Sequence, residues 1–313
     1  MTEISTTEST GIEHVLDAMV TIKARIPDDA MSASMLGTER SGHGIVIQND
    51  GLIVTIGYLV TEAETVWIGT ADRRTFPGYV VAVDYESGLG LVKPSMQVDS
   101  PCVALGSAGR LKPDDTVFIA DSSRTGDLVR AGVIAKQEFV GRWEYLLDEA
   151  VYVAPPHPNW AGAALLDIDG RLCGIGSLLL QQTEDTATPT GQNLFVPIDL
   201  VAPVLEELCH TGKRATPARP WMGLLVHDED EQLLVSGVYK DCPGYRAGLQ
   251  PGDMLVRVNN RHVGSLAKFY RSVWDQGAAG VAVQLTVLRD GELRDLTVHT
   301  MDRNLLMRRQ TLN

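Results

Sequence analysis

The chain is poor in several features that would identify a chemistry at once. Its four cysteines, Cys102, Cys173, Cys209 and Cys242, lie far apart in 313 residues and form no CxxC pair. They read as buried thiols rather than as a zinc or redox centre. The seven histidines never pair at metal-ligand spacing, which argues against a zinc hydrolase, and no metal or cofactor is expected. No run approaches the ~18 apolar residues of a membrane span. Basic residues are in deficit, 27 Lys+Arg against 40 Asp+Glu for a net charge of −13. With no basic stripe, the chain suits neither nucleic acid nor an anionic lipid surface. The start, MTEISTTESTGIEHVLDAMV, lacks the basic head and apolar core of a secretory signal, so the residues alone predict a cytoplasmic protein.

What is present is the composition of a soluble globular protein, 44% hydrophobic and 21% charged, long enough for two or three domains. The acidic excess is uneven. Residues 1–215 hold 29 of the 40 acidic and 15 of the 27 basic side chains, and the remainder is nearly neutral. The Pro-containing, basic stretch TGKRATPARP marks that change and reads as a linker. The expected organisation is therefore a mobile tail over 1–10, a large domain over 11–212 and a linker over 213–220. A small domain over 221–302 and a tail over 303–313 complete it.

Strand signals dominate the large domain. The runs GIVIQNDGLIVTIGYLV, TVWIGTA, YVVAVDY, LGLVK, DTVFIA, VRAGVIAKQEFV, AVYVA, AALLDIDGRLCGIGSLLL and NLFVPI are short, β-branched and punctuated by Asn49-Asp50-Gly51 and Asp169-Gly170 turns. Such a series predicts a sandwich or barrel. ARIPDDAMSASMLGTERSG reads as a loop, and PIDLVAPVLEELCH as the first clear helix, stopped by Gly212. In the small domain, strand runs surround one amphipathic helix, SLAKFYRSVWDQ, and Arg289-Asp290-Gly291-Glu292 makes a hairpin turn.

Five motifs in one order, SGHGIVIQNDGLIVT, VVAVDYESGLGLVKP, VALGSAGRLKPDDTVFIA, LLDIDGRLCGIG and NLFVPIDLVAPVLEEL, resemble the trypsin-like domain of the HtrA/DegP serine protease family. That resemblance implies a mainly β fold, a chymotrypsin-like pair of six-stranded β-barrels. RPWMGLLV followed by VYKDCPGYRAGLQPGDMLVRVNNRHV resembles the α+β PDZ domain that follows such protease domains.

A serine protease needs a hydroxyl nucleophile, an imidazole base and an orienting carboxylate. By resemblance, the histidine position in TIGYLV is Tyr58, the aspartate position in GLGLVK is Gly88, and the nucleophile position in NWAGAAL is Ala161. All three roles are vacant. The phenol of Tyr58 has a reference pKa of ~10, too high for an efficient base near neutrality. The oxyanion-hole region falls at Asn159 and Trp160, and Ala163-Ala164 replace the family's Gly-Pro. The nearest substitutes read as structural: Ser87 beside the aspartate position, Ser177 in a strand, His43 opening a strand, His157 in a surface loop, Asp84 and Glu86 as solvated loop carboxylates. A hydroxyl or thiol hydrogen-bonded to an imidazole between the barrels would overturn this reading.

In the PDZ-like region, strand addition is the physical logic: a peptide C-terminus lies along a sheet edge, and its carboxylate meets the amides of a preceding turn. By resemblance that turn is Trp221-Met222-Gly223-Leu224 and the strand Leu224-Leu225-Val226. Phe269, Tyr270 and Val273 are candidates for lining the last-residue pocket, with Phe269 and Val273 alternatively belonging only to the core. The acidic run Asp228 to Glu231 reads as a solvated loop. The expected function is that of a pseudoprotease, a peptide- or protein-binding scaffold or regulatory subunit. Its expected partners are C-termini with an apolar last residue, and a homotrimer or a mixed assembly with an active paralogue is allowed for. The alternative is an active serine endopeptidase of protein quality control, in the periplasm as is usual for the family.

Overall fold

The computed structural model describes residues 15–98, 100–123, 128–181, 191–229, 232–308 and 310. The expected N-terminal tail lies outside them. The described chain divides into two compact units. The first holds the residues up to Gln137, Asp148–Lys213 and those from Arg308 on; the second holds Glu138–Leu147 and Arg214–Met307. The sequence-based division differs at two places. Residues 138–147, from the middle of the large domain, belong to the second unit. The segment read as a C-terminal tail is structured, with a 3-10 turn at Arg303–Leu305 and an Arg308–Asp29 ion pair of 2.6 Å inside the first unit.

The first unit is a pair of closed, six-stranded antiparallel barrels. Strands β1 (Met19–Arg25), β2 (Glu39–Val46), β3 (Ile53–Ile56), β4 (Thr65–Gly69), β5 (Thr75–Asp84) and β6 (Leu89–Pro94) close in the order β1-β2-β3-β6-β5-β4. Closure comes from the pairing of Thr21 with Gly69 through Arg25 with Thr65. Strands β7 (Thr116–Ala120), β8 (Val129–Gly141), β9 (Tyr145–Ala154), β10 (Ala164–Leu166), β11 (Leu172–Gln181) and β12 (Gly191–Pro197) close as β10-β11-β12-β9-β8-β7. Alternation supplies each interior: Ile22, Ile45, Ile53, Ile56 and Ile68 are buried in the first barrel, and Val117, Ile119, Val151, Val153, Leu165 and Phe195 cluster in the second.

Two local expectations change. The stretch read as a loop contains a one-turn helix, α1 (Ala33–Leu36). The single helix expected over PIDLVAPVLEELCH is three pieces: 3-10 turns at Ile198–Leu200 and Ala202–Val204, then α2 (Leu205–Thr211). Pro203 explains the break, because it has no N–H to continue the ladder. The thiols Cys173 and Cys242 are buried, whereas Cys102 and Cys209 are only half-buried; none of the four is in a disulfide.

The second unit is a sheet ordered β13-β14-β15-β17-β18, with β16 paired to β15. Its strands are β13 (Leu224–Glu229), β14 (Gln232–Val238), β15 (Met254–Val258), β16 (Arg261–His262), β17 (Ala282–Arg289) and β18 (Glu292–His299). The β17–β18 turn has positive φ at Asp290 and Gly291, the combination a two-residue hairpin needs. Helix α3 (Pro243–Arg246) precedes the AGLQPGD turn, and α4 (Leu266–Trp274) packs on the sheet. Ser265 caps α4 by accepting the Lys268 N–H. Leu266, Phe269, Tyr270 and Val273, one face at helical spacing, are buried against Leu224, Val226, Leu255 and Val283. Asp253 is buried and held by the Arg289 guanidinium through both carboxylate oxygens. β13 ends the sheet, so its outer edge is free of strand partners from the sheet itself.

Candidate functional site

Tyr58 sits in a 3-10 turn, Gly57–Leu59, just after β3. Arg40, buried on β2, fixes that turn by donating to the carbonyls of Tyr58 (2.7 Å) and Thr61 (3.1 Å). The Gly57 N–H donates to the Gly88 carbonyl (2.7 Å), which brings the aspartate-like position beside the histidine-like one. The Tyr58 phenol donates to the Ser177 carbonyl on β11 (3.0 Å) and bonds Trp160. Burial raises its pKa further above the ordinary phenol value, so it is not a base at physiological pH. The Ala161 carbonyl accepts the His43 N–H (2.8 Å). The segments carrying Tyr58, Gly88, Asn159, Trp160 and Ala161 are thus brought together.

Three amides of the 159–163 turn are bonded within its own neighbourhood. Asn159 N–H donates to His157 Nδ1 (3.1 Å), Gly162 N–H to the Gly176 carbonyl (2.9 Å) and Ala163 N–H to the Trp160 carbonyl (3.0 Å). The turn is also tight: a Cβ on Gly162, at φ +80°, would fall 1.9 Å from the His43 carbonyl oxygen.

Several residues differ from their sequence reading. His157 is buried rather than a surface loop residue, bonded through its backbone and the Asn193 side-chain amide. Asp84 is buried and accepts the Ser87 N–H and hydroxyl, so it is not a solvated carboxylate. His43 is a more consequential case. Its Nδ1 lies 2.7 Å from Ser122 Oγ, a hydroxyl–imidazole pair joining the two barrels. The Ser122 N–H also donates to that nitrogen (3.2 Å), which places the lone pair on Nδ1 and makes the hydroxyl its donor. Ser122 Oγ also lies 2.9 Å from Thr21 Oγ1. Burial lowers the His43 pKa and His157 adds to that, against the pull of Asp121, so the imidazole is neutral. Asp121 aims its oxygens elsewhere, at Asn159 Nδ2 (2.7 Å) and the Ser123 N–H (2.8 Å). Among the described residues no cluster of three metal-ligand side chains occurs.

In the second unit three successive amides meet one carboxylate. Met222 N–H donates to Glu144 Oε2 (2.9 Å), and Gly223 and Leu224 N–H donate to Oε1 (2.7 and 2.9 Å). Gly223, at φ +79°, makes the turn possible, and a Cβ there would fall 2.5 Å from Cys242 Cβ. Trp221 anchors the turn by pairing with Met301. On β13, Val226 N–H donates to the Arg142 carbonyl (2.9 Å), while Leu225 is half-buried. On α4, the Tyr270 hydroxyl donates to the Gly141 carbonyl (3.0 Å) and accepts the Glu144 N–H (3.1 Å). Phe269 and Val273 lie in the core beside it. Burial raises the Glu144 carboxyl to about 7, against its three N–H donors and Arg303. Asp228 and Glu229 are exposed but lie on β13 rather than in a loop, and Asp228 accepts the Leu266 N–H at the start of α4; the other two residues of that acidic run lie outside the described residues. Glu144 is absent from any sequence motif, since its partners lie 78 to 80 residues away.

Family models match in two places, a trypsin-like peptidase domain over 42–175 and a PDZ domain over 220–300. A relative described as a probable periplasmic serine endoprotease, DegP-like, of Hahella chejuensis is 27% identical over 274 residues, covering 83% of this chain and 56% of that protein. Another of the same description, from Rickettsia prowazekii, is 24% identical over 277 residues, covering 82% of this chain and 52% of that protein. The chain thus spans about half the length of these relatives. The word periplasmic in their descriptions runs against the cytoplasmic expectation. Among solved structures, the HtrA-type protease AlgW with tripeptide covers 97% of this chain and 98% of its own, at TM-score 0.56 and 18% identity. The serine endoprotease from Yersinia pestis covers 96% and 99%, at TM-score 0.57 and 21% identity. Two closed barrels, a PDZ sheet and both domain matches in this order identify the chain as an HtrA-like member of the trypsin-like peptidase family.

Proposed function

We propose that this chain is a catalytically silent HtrA-type protein, a peptide- or protein-binding scaffold or regulatory subunit that works through its PDZ domain. The observation that carries this is the chemistry of Tyr58, Gly88 and Ala161: a high-pKa phenol bonded to a carbonyl, a residue without a side chain, and a methyl group. None can attack a carbonyl or take its proton. Loss of a whole triad costs about 10⁶ in kcat in a serine protease. The converging amides of Met222, Gly223 and Leu224 support carboxylate recognition at the PDZ turn, and apolar C-termini are the expected ligands. Relatives described as periplasmic favour that compartment. Sizing the co-expressed proteins distinguishes a homotrimer from a mixed assembly with an active paralogue.

The test is incubation of the full chain with unfolded casein and a fluorophosphonate probe. No cleavage and no labelling is expected. The second reading, an active serine endopeptidase, is favoured by family membership and by the Ser122–His43 pair. That hydroxyl–imidazole contact counts against the silent reading, which is kept because the hydroxyl occupies Nδ1, the nitrogen a triad gives to its carboxylate, and the Asp121 oxygens are bonded to Asn159 and Ser123. Labelling that Ser122→Ala abolishes would establish it and end the first.

A further inference from the structure

The amides of the PDZ turn are not open to solvent or to a visitor; a segment of the same chain fills them. Residues Glu138–Leu147 belong to the PDZ-containing unit and span the end of β8, the turn at 142–144 and the start of β9. They touch the groove on every side that a bound peptide would use. The Glu144 carboxylate takes three successive N–H groups of the turn, and the Arg142 carbonyl takes Val226 N–H on the edge strand. Leu146 is buried in the same cluster as Met222, Leu224 and Phe269. The groove helix contributes Tyr270, which clasps Gly141 and Glu144, and Arg271, which pairs with Glu138 at 2.6 Å. These are the three components of strand-addition recognition: a captured carboxylate, a main-chain bond to the edge, and a side chain in an apolar pocket.

The tip is shaped for this contact. Glu144 adopts φ +57°, a strained conformation for a residue with a side chain. Trp143 stacks on Tyr145 with centroids 5.8 Å apart and an interplanar angle of 11°, and Phe139 packs against both. A stiff tip loses little freedom when it docks.

We propose that Glu138–Leu147 is a built-in ligand of the PDZ groove, in which the Glu144 side-chain carboxylate stands in for the terminal carboxylate of a bound peptide. Resting on the peptide-binding reading above, this makes the groove self-occupied, and an external C-terminus enters it only by displacing the tip. A tethered ligand acts at an effective concentration on the order of mM, so a tip whose own Kd for the groove is about 10–100 μM makes an external peptide bind roughly 10- to 100-fold more weakly than it would to an emptied groove.

The test uses the full chain with Glu144→Ala and Glu144→Gln, the second keeping the side-chain volume in case the first does not fold. Two measurements are made. One is amide hydrogen exchange at Met222, Gly223, Leu224 and Val226. The other is binding of a fluorescein-labelled decapeptide pool with free C-terminal Val, Leu, Ile or Phe, against the same pool amidated at its C-terminus. The expected result is at least tenfold faster exchange in Glu144→Ala, a smaller acceleration in Glu144→Gln, which keeps one acceptor oxygen, and at least tenfold tighter binding of the free-carboxylate pool alone by Glu144→Ala. Exchange unchanged in both variants overturns the proposal, as does wild-type binding as tight as the variants'. Faster exchange with no peptide bound by any form upholds the built-in ligand and sinks the peptide-binding reading instead.

Discussion

At residues 222–224 three backbone N–H groups point at one carboxylate; at residues 159, 162 and 163 the N–H groups fold back onto a histidine ring and two carbonyls of their own neighbourhood. Both turns depend on a glycine at positive φ, Gly223 and Gly162. The first turn keeps the geometry of an anion site and holds the Glu144 carboxyl group. The second, the family's oxyanion region by resemblance, has its Asn159, Gly162 and Ala163 donors committed elsewhere. A preserved fold therefore says little about which amide nests still accept charge, since barrel packing and donor direction are separable.

The largest effect is expected where the second turn is tightest. Gly162→Ala should cost about 4 kcal/mol or prevent folding, because the new Cβ meets the His43 carbonyl oxygen at 1.9 Å and the backbone is left-handed there. Gly248→Ala, also left-handed but with open space around it, should cost only about 1 kcal/mol. Urea unfolding of the two variants measures the difference, and equal costs would mean that backbone conformation, not crowding, governs these turns. Next comes Asp253→Ala in the PDZ unit. It strands the Arg289 guanidinium, whose side chain is 15% exposed against 0% for Asp253, and should cost about 3 kcal/mol by the same measurement. A loss well under 1 kcal/mol would show that water replaces the carboxylate.

Much of this was legible in the chain itself. The β-branched runs and the Asp290-Gly291 pair foretell strands and a hairpin because they are local signals. The AGLQPGD motif, through its resemblance, leads to the carboxylate-binding turn and β13. What the sequence does not reveal is long-range. GRWEY falls between two strand runs and carries no motif, and nothing near Glu144 names three amides almost eighty residues on. The Ser122–His43 contact has the same character, spanning 79 residues. Even His157 looks like a loop residue in APPHPNW until Asn193 is seen to bury it.

The carboxylate in the first turn gives a smaller effect with a definite sign. Its pKa is raised to about 7 when docked, so docking takes up a proton relative to the free tip. Docking is strongest below the ordinary carboxylate value, weakens as pH rises toward 7, and is level above it. Tyr270 on α4, Cys242 at the head of α3, and Arg303 are the titratable or charged groups coupled to Glu144. The Cys242 thiol is itself raised, by burial first and then by Glu144, to about 11, and burial raises Tyr270 further still, so neither titrates in this window. Intrinsic-rate-corrected exchange at Met222, Gly223 and Leu224 should therefore speed up from pH 5 to 7, and Glu144→Gln should flatten the profile. A rising protection over that range would mean that the amides hold the anion more strongly than burial opposes it.

The smallest expected effect is none at all, and it probes the second turn directly. Tyr58→His, Gly88→Asp and Ala161→Ser together restore the residue types of a triad, yet the triple variant should neither cleave casein nor label with fluorophosphonate above the Ser122→Ala background. Its Asn159 N–H remains on His157 Nδ1, and one missing oxyanion donor alone costs about 10²–10³ in kcat. Aspartate at position 88 also inherits a φ of +78°, tolerated by Asp better than by most residues but not free of strain. Adding His157→Ala releases the amide, so labelling should first emerge in the quadruple variant. If the triple variant labels on its own, the inward amides are no barrier, and the two turns differ in occupancy rather than in kind.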